Sequence, residues 1–283
     1  MINLRLSSRA VIFLSCVSLL FSACAPALPT HPEQLAFPTL EFNPPEIERA
    51  QLSNGMQLYL KEDNELPLVQ LTALIGTGSI NVPRQYAGFE GLFSESWRTG
   101  GTARYEPSQL EERLDQLAAN LEASMGFYSC QLDLSVRSED LEDGLALLAE
   151  VLRNPLFADS SLELARLKAQ EDVRRQNDRP GSIAQRLLMA SLYPDHPLGD
   201  SPTLESLARV NREQFVKFQE SYFAPNNLRL AVSGDFDRRE LLDRLDELFG
   251  DWPRKRLDGQ QIPALQPAST ARLQVVDKDI AQT

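Results

Sequence analysis

The sequence predicts an α+β fold in which an antiparallel sheet is covered by helices on one side. Short segments with alternating or continuous apolar residues are separated by longer stretches with helical spacing, in the order strands, helices, strand, helices, strand, helix. The composition is that of an ordinary globular protein, with 42% hydrophobic and 24% charged residues. A chain of 283 residues can form one large or two modest domains.

The first predicted strands form a hairpin. Residues 51–61 alternate around the Asn-Gly pair at 54–55, which favours a tight turn between two strands. Residues 68–75 are mostly apolar and predict a more deeply buried strand, which ends at Gly76.

A helix with one apolar face follows these strands. Its apolar residues are spaced three, one and four apart, which places them on one face of a helix. They are Phe89, Leu92, Phe93 and Trp97. The Gly-Gly pair at 100–101 predicts its end.

The remaining elements follow from the same periodicities. We expect a helix from Pro107 through Leu121, one strand over 125–136, and a helix from Ser138 to Asn154. Helices are predicted over 160–177, 183–192, from 203 and over 211–222, then a strand over 228–233 and a final helix that reaches Phe249.

The first residues resemble a secretory signal. Arg5 and Arg9 precede an apolar run over 10–21, which is too short to span a bilayer comfortably. The segment that ends at Cys24 resembles a bacterial lipobox, so residues 1–23 are predicted to be a lipoprotein-type signal and Cys24 the lipidated residue. An ordinary signal cleaved near Ala23 is the alternative.

This interpretation implies a place in the cell and a redox state. The proline-marked residues 24–46 are predicted to be a tether, and the residue after Cys24 is Ala rather than Asp, which favours the periplasmic side of the outer membrane. Cys130 would then be alone in the folded part, so we expect no disulfide.

The net charge excludes one class of partner. The formal charge is −12 and the pI is about 4.8. Nucleic-acid binding needs a concentrated basic surface, and the chain has only short arginine pairs. We therefore expect no nucleic-acid partner.

Several motifs carry a resemblance to a known family. The first is Gly-Phe-Glu-Gly-Leu-Phe-Ser-Glu-Ser-Trp-Arg-Thr-Gly-Gly-Thr at 88–102. Five proline-, asparagine- or glycine-containing segments follow it, at 152–157, 171–180, 193–199, 222–228 and 232–237. In this order and spacing they resemble the M16 peptidase family of insulinase, pitrilysin and mitochondrial processing peptidase. The resemblance runs from Leu52 to Pro253 and defines a predicted domain over 47–254.

The resemblance also locates the zinc motif of active members, which reads His-x-x-Glu-His. The corresponding slot here has Gly91, Ser94 and Glu95 at the three chemical positions. A register shifted by one residue has Leu92, Glu95 and Ser96. Neither register supplies an imidazole, whereas a zinc hydrolase needs imidazole ligands and a carboxylate that accepts the proton of the metal-bound water.

The family's third zinc ligand is a glutamate about 75 residues later. The corresponding residue here is Asp172, or Glu171 one position earlier. Glu95 and Asp172 together would suit Mg²⁺ or Ca²⁺ better than zinc. The alternative is that both are solvated or paired with Arg174 and Arg175. We expect no catalytic residue, no metal and no cofactor, although active family members use zinc.

The two histidines offer no replacement. His196 lies in a Pro-Asp-His-Pro sequence, where the resemblance implies a structural turn. His31 lies in the predicted tether. Nucleophile, phosphate-binding and redox motifs are absent from the sequence.

Residues 255–283 are predicted to be a linker and the start of a missing second domain, with a strand-like run over 271–276.

Three functions remain open. The chain is a non-catalytic, peptide-binding or scaffolding half of a two-part peptidase chamber, a metallopeptidase with an unorthodox site or a missing catalytic domain, or a structural envelope lipoprotein. The first implies an active M16 subunit or second M16 domain as partner, peptides as ligands, and membrane contact through the lipid alone. In the family, substrate contacts the edge strand and the cavity wall of both halves.

Overall fold

The computed structural model describes residues 44, 46–257, 264, 271 and 273–277. The predicted signal, Cys24 and nearly all of the predicted tether lie outside the described residues, as does His31.

A six-stranded sheet forms one layer of the described part of the chain, in the order β1-β2-β6-β3-β5-β4. The strands are β1 Glu48–Gln51, β2 Gln57–Glu62, β3 Leu68–Ile75, β4 Asn120–Met125, β5 Cys130–Arg137 and β6 Leu228–Gly234.

The sheet is mixed because of one pairing. Within the described residues, β6 pairs antiparallel with β3 but parallel with β2, and the other pairings are antiparallel. β2 and β3 run in opposite directions and β6 inserts between them, so β6 must lie parallel to one of them. The expected antiparallel sheet therefore contains one parallel pair.

Helices cover the sheet. Those of the described residues are α1 Phe89–Thr99, α2 Pro107–Gln116, α3 Leu141–Arg153, α4 Asp159–Arg175, α5 Pro180–Leu192, α6 Leu204–Arg209, α7 Arg212–Tyr222 and α8 Arg238–Phe249. None of them has the length and hydrophobicity of a bilayer-spanning segment.

Two predicted elements were wrong in the middle of the chain. The helix expected to reach Leu121 ends at Gln116, where Ala118 adopts a positive φ of 46° that L-residues rarely tolerate in a helix. The single strand expected over 125–136 is the hairpin of β4 and β5, closed by a hydrogen bond from Gly126 N to Ser129 O of 2.8 Å. Leu121 therefore belongs to β4.

The strand-like run at 271–276 is not a strand in its described residues. A strand needs a hydrogen-bonded neighbour, and residues 273–276 instead lie beside α5.

The core lies between one face of the sheet and the helices. Along β3 and β5, buried residues alternate with partly or fully exposed ones, so one sheet face packs and the other stays open. Helix α1 lies at the centre of an aromatic cluster. The ring of Phe93 stacks on that of Phe89 and meets four other rings at an angle, with all five centroid distances at or below 5.6 Å; these rings belong to Trp97, Phe157, Phe215 and Phe218. This packing fixes which residues of α1 face outward.

Candidate functional site

The orientation of α1 decides between the two possible alignments of the zinc motif with this helix. Leu92 and Ser96 are both 0% exposed and face the core, so the shifted register cannot present a site. Gly91, Ser94 and Glu95 lie at exposed or half-buried positions. The first register is therefore the one that could meet a ligand.

Ser94 is committed to two hydrogen bonds. Its hydroxyl donates to Glu90 O at 2.6 Å and accepts from Met125 N at 2.9 Å. The first bond lies within α1, and the second ties α1 to strand β4. Ser94 thus serves as a bridge between two elements rather than as a base.

Glu95 is paired with a cation from the neighbouring helix. Its Oε1 lies 2.6 Å from the Nζ of Lys168 on α4, and their side chains are 38% and 59% exposed. Lys168 lies one helical turn before Asp172. An ammonium group therefore approaches the carboxylate on the side where α4 would offer a third metal ligand.

Gly91 and Asp172 line one cleft. A Cβ added to Gly91 would have no heavy atom within 4 Å, so the position is open space. The cleft has a volume of about 740 Å³ and lies between α1, α4, α5 and the loop at 200–202. Its lining combines Gly91, Glu90 and Asp172 with apolar side chains such as Met189 and Leu207.

Arg174 and Arg175, which were considered as partners of Glu95 and Asp172, instead pair with Glu171. Its carboxylate lies 2.6 Å from Arg175 and 3.7 Å from Arg174. Asp172 is exposed and borders the cleft. Of the two candidates for a third ligand, only Asp172 faces the space beside Gly91.

His196 has a structural environment. It is 5% exposed, and its Nδ1 accepts a hydrogen bond from Leu198 N at 3.1 Å. Its ring lies 5.8 Å from the rings of both Phe127 and Tyr193. The side chain caps the turn at Pro197 and packs the loop against the β4–β5 hairpin.

Cys130 is a free thiol in the described part of the chain and is completely buried on β5. Burial raises the pKa of the Cys130 thiol to about 12. The thiol is therefore protonated at neutral pH and is not a nucleophile.

The sequence did not show which strand forms the edge of the sheet beside α1. β4 is the last strand of the described sheet. Arg98 Nε donates to Leu121 O at 3.2 Å, and Ser94 accepts from Met125 N. Since alternate residues of an antiparallel strand point their backbone groups to the same side, the N–H and C=O of Ala123 also face outward.

Two family models match the chain in succession. Residues 58–204 match insulinase (peptidase family M16), and residues 209–283 match the peptidase M16 inactive domain. The first model covers more than half of the chain. The chain belongs to the M16 peptidase family.

Curated relatives share low identity with this chain over most of its length. An uncharacterized zinc protease of Rickettsia bellii is 23% identical over 71% of this chain and 49% of its own length. Cytochrome b-c1 complex subunit 1 of Bos taurus is 23% identical over 83% of this chain and 49% of its own length. The chain thus spans about half the length of these curated relatives.

A solved protease structure has the same fold. The first half of the periplasmic protease PqqL from Escherichia coli superposes with a TM-score of 0.67 at 18% identity, over 78% of this chain and 49% of that one. The expected α+β architecture is confirmed by this likeness and by the sheet flanked by helices.

The residues at the slot do not fit the zinc ion of M16 proteases. Gly91 offers no donor atom, Ser94 is bonded to Glu90 and Met125, and Glu95 is bonded to Lys168. Among the described residues, no three His, Cys, Asp or Glu side chains are grouped as metal ligands. The chain holds only two histidines, at 31 and 196, and the second is buried in its turn.

Proposed function

We propose that this chain is a non-catalytic M16 homologue, the peptide-binding or scaffolding half of a two-part peptidase chamber in the bacterial envelope. The single observation that carries this proposal is the outward face of α1. There Gly91, Ser94 and Glu95 stand at the slot positions, and the polar side chains are bonded to β4 and α4.

The chemistry of peptide hydrolysis explains why this face cannot catalyse it. A zinc peptidase needs at least three protein ligands with an open fourth position, and a carboxylate to accept the proton from the bound water. Ser94 is a poor base near neutral pH, and its hydroxyl already donates to Glu90 O. Glu95 is paired with Lys168 and has no imidazole beside it at the other slot positions, which are Gly91 and Ser94.

Two surfaces support peptide binding without hydrolysis. The cleft beside Gly91 is open and partly apolar, which suits a side chain of an extended peptide. At the edge of β4, the outward N–H and C=O of Ala123 lie between the hydrogen bonds that β4 makes with Arg98 and with Ser94. A peptide strand would pair with Ala123 alone, since Arg98 and Ser94 of α1 already bind the outward groups of Leu121 and Met125.

The need for a partner rests on the relatives. The chain spans about half the length of the Rickettsia bellii and Bos taurus relatives, and the second of these is named as a subunit of a complex. A second M16 subunit or domain that holds an intact zinc site would supply the catalysis.

The envelope location rests on the first residues and on one relative. An apolar run over 10–21 precedes Cys24, and PqqL is described as a periplasmic protease. Lipidation of Cys24 would hold the domain at the membrane, with the lipid as its only membrane contact.

Peptide digestion tests the catalytic part of the proposal. The purified chain is incubated with zinc and a mixture of unstructured peptides, and the products and the retained peptides are identified by mass spectrometry. We expect retained peptides and no new termini. Cleavage that grows linearly with the amount of this chain, and that a chelator stops, would refute the proposal.

The edge of β4 can be tested in the same retention assay. Ala123→Pro removes an outward N–H, which an edge strand tolerates, and is expected to lower retention severalfold. Ala123→Val keeps the N–H and is the matched control. Equal loss in both variants would point to a damaged strand rather than to lost pairing.

Metabolic labelling with an alkyne fatty acid tests the anchor. The wild-type chain is expected to carry the label, and Cys24→Ala to lose it. Labelling that persists in Cys24→Ala, or no labelling of the wild type, would remove the anchor from the proposal.

A further inference from the structure

The contact between α1 and α4 is followed by a carboxylate that faces a glycine. Glu95 of α1 pairs with Lys168 of α4 at 2.6 Å. One helical turn away from this pair, Gly91 on α1 and Asp172 on α4 line the same cleft. Gly91 has no side chain that could meet the carboxylate of Asp172. The turn beside the ion pair therefore holds a negative charge without a counter-ion from α1.

The charged groups that line the cleft leave it negative. In the described part of the chain they are Glu90, Asp172, Arg186 and Asp200. Asp200 is paired with Arg84, whose Nε and Nη2 lie 2.7 and 2.5 Å from its two carboxylate oxygens. Glu90 and Asp172 are in no ion pair with any residue that the structure describes.

The cation among these groups is held at the end of α4. Arg186 donates from Nη1 to Gln176 O at 3.2 Å and from Nη2 to Asn177 Oδ1 at 2.5 Å. Both acceptors are uncharged, and the C-terminus of a helix favours a cation. Arg186 therefore ties α5 to the end of α4 and leaves Glu90 and Asp172 unpaired.

Apolar side chains form the rest of the cleft. Val173, Met189 and Leu207 line its volume of about 740 Å³, and the space beside Gly91 is open. Lysine and arginine bury an apolar stem while their charged end stays in a polar environment. Apolar walls with two unpaired carboxylates fit such a side chain better than an acidic one, which the carboxylates would repel.

We propose that this cleft binds the cationic group of a peptide through the carboxylates of Glu90 and Asp172, with the stem of a lysine side chain against Met189 and Leu207. The inference rests on the proposed function and names the class of peptide that the site selects. The ammonium group of a peptide's own N-terminus has the same charge, and the experiment separates the two sources.

Matched peptides test the preference. Each has the sequence Gly-Ala-Leu-X-Leu-Ala-Gly with an acetylated N-terminus and a fluorophore at the C-terminus, and X is lysine, norleucine or glutamate. Fluorescence anisotropy with the full chain measures Kd. We expect the lysine peptide to bind about tenfold more tightly than the other two. A norleucine peptide with a free N-terminus that binds as tightly would identify the N-terminal ammonium as a source of the cation.

Substitutions assign the preference to the two carboxylates. Glu90→Gln with Asp172→Asn keeps the shape of both side chains, which are half-buried and exposed, and is expected to abolish the preference for lysine. Glu163→Gln with Glu171→Gln removes the same charge from α4 at positions outside the cleft and should keep it. Glu90→Gln with Asp172→Lys should reverse the preference, so that the glutamate peptide binds more tightly than the lysine peptide.

Retained peptides give a second readout. In the digestion assay, the peptides that the wild-type chain retains should be enriched in lysine and arginine relative to the mixture. Equal binding of the matched peptides, retention without this enrichment, or equal losses in the two amide double variants would overturn the inference and leave peptide binding in place. No binding to any matched peptide, together with no retained peptides, would contradict the proposed function as well.

Discussion

The two faces of α1 differ in what they retain. The inner face holds Phe89, Leu92, Phe93 and Trp97, all at most 2% exposed and packed in the aromatic cluster. The outer face holds Gly91, Ser94 and Glu95. Gly91 borders open space, Ser94 is hydrogen-bonded to β4, and Glu95 is paired with a lysine of α4. The comparison teaches that one face of the helix is fixed by core packing, whereas the other face carries the positions that differ from the zinc motif of active M16 members. Fold and function are separable within one helix.

The largest effect is expected on the inner face. Phe93→Ala removes a ring whose centroid lies within 5.6 Å of those of five other aromatic rings and 6.1 Å from that of Phe223. We expect it to lower the free energy of unfolding by about 3–5 kcal/mol, because the surrounding aromatic rings cannot collapse into the cavity that the substitution leaves. Urea denaturation measures the change. A loss similar to that of an outer-face variant would end the contrast between the faces.

Ser94→Ala should have a smaller effect with a local signature. It leaves the N–H of Met125 without its acceptor and is expected to cost about 1–2 kcal/mol. Hydrogen exchange at the Met125 amide should become faster, whereas Ser94→Thr, which keeps the hydroxyl, should preserve protection. Unchanged exchange in Ser94→Ala would show that the bridge does not protect this edge.

Gly91→Ala should change stability in the opposite direction. The position is helical, exposed and free of neighbours within 4 Å, so a methyl group fits. Glycine in a helix interior is less favourable than alanine by about 0.5–1 kcal/mol. Thermal unfolding should therefore show a stabilised variant. Destabilisation would mean that the glycine is required by the backbone, and not simply a vacant ligand position.

The smallest effect is expected for the pair of Glu95 and Lys168. Both side chains are substantially exposed, and such pairs contribute about 0.2–1 kcal/mol. A double-mutant cycle with Glu95→Gln and Lys168→Met should give a coupling energy in this range that falls as salt is added. A coupling of several kcal/mol, insensitive to salt, would indicate a buried network instead.

Periodicity was sufficient to predict most elements. The hairpin at the Asn-Gly pair of residues 54–55 forms β1 and β2, and the spacing of Phe89, Phe93 and Trp97 gave α1 and its buried face. These features depend on neighbours within a few residues, which the sequence displays directly. The α+β class followed from the order of such elements.

Two parts of the fold could not be predicted from the sequence, for physical reasons. Leu121 satisfies both a helical spacing from Leu117 and the alternation of β4, so periodicity alone could not end the helix. The parallel pairing of β2 with β6 joins residues about 170 positions apart, such as Leu58 and Leu230, and the local sequence carries no record of it.

The candidate site was predictable as a set of positions but not as a set of contacts. The family resemblance gave Gly91, Ser94, Glu95 and Asp172. The partners of Ser94 and Glu95 lie 31 and 73 residues away, at Met125 and Lys168. The only sequence signal for the partner of Glu95 was Lys168. It lies four residues before Asp172, and this spacing places both side chains on the same face of a helix.

Metal content tests the central claim most directly. The purified chain is incubated with zinc, freed of excess metal and analysed by elemental analysis, alongside the double variant Glu95→Ala with Asp172→Ala. We expect substoichiometric zinc that is the same in both proteins. One tightly held zinc per chain that the double variant loses would contradict it, and would make the outer face of α1 a metal site after all.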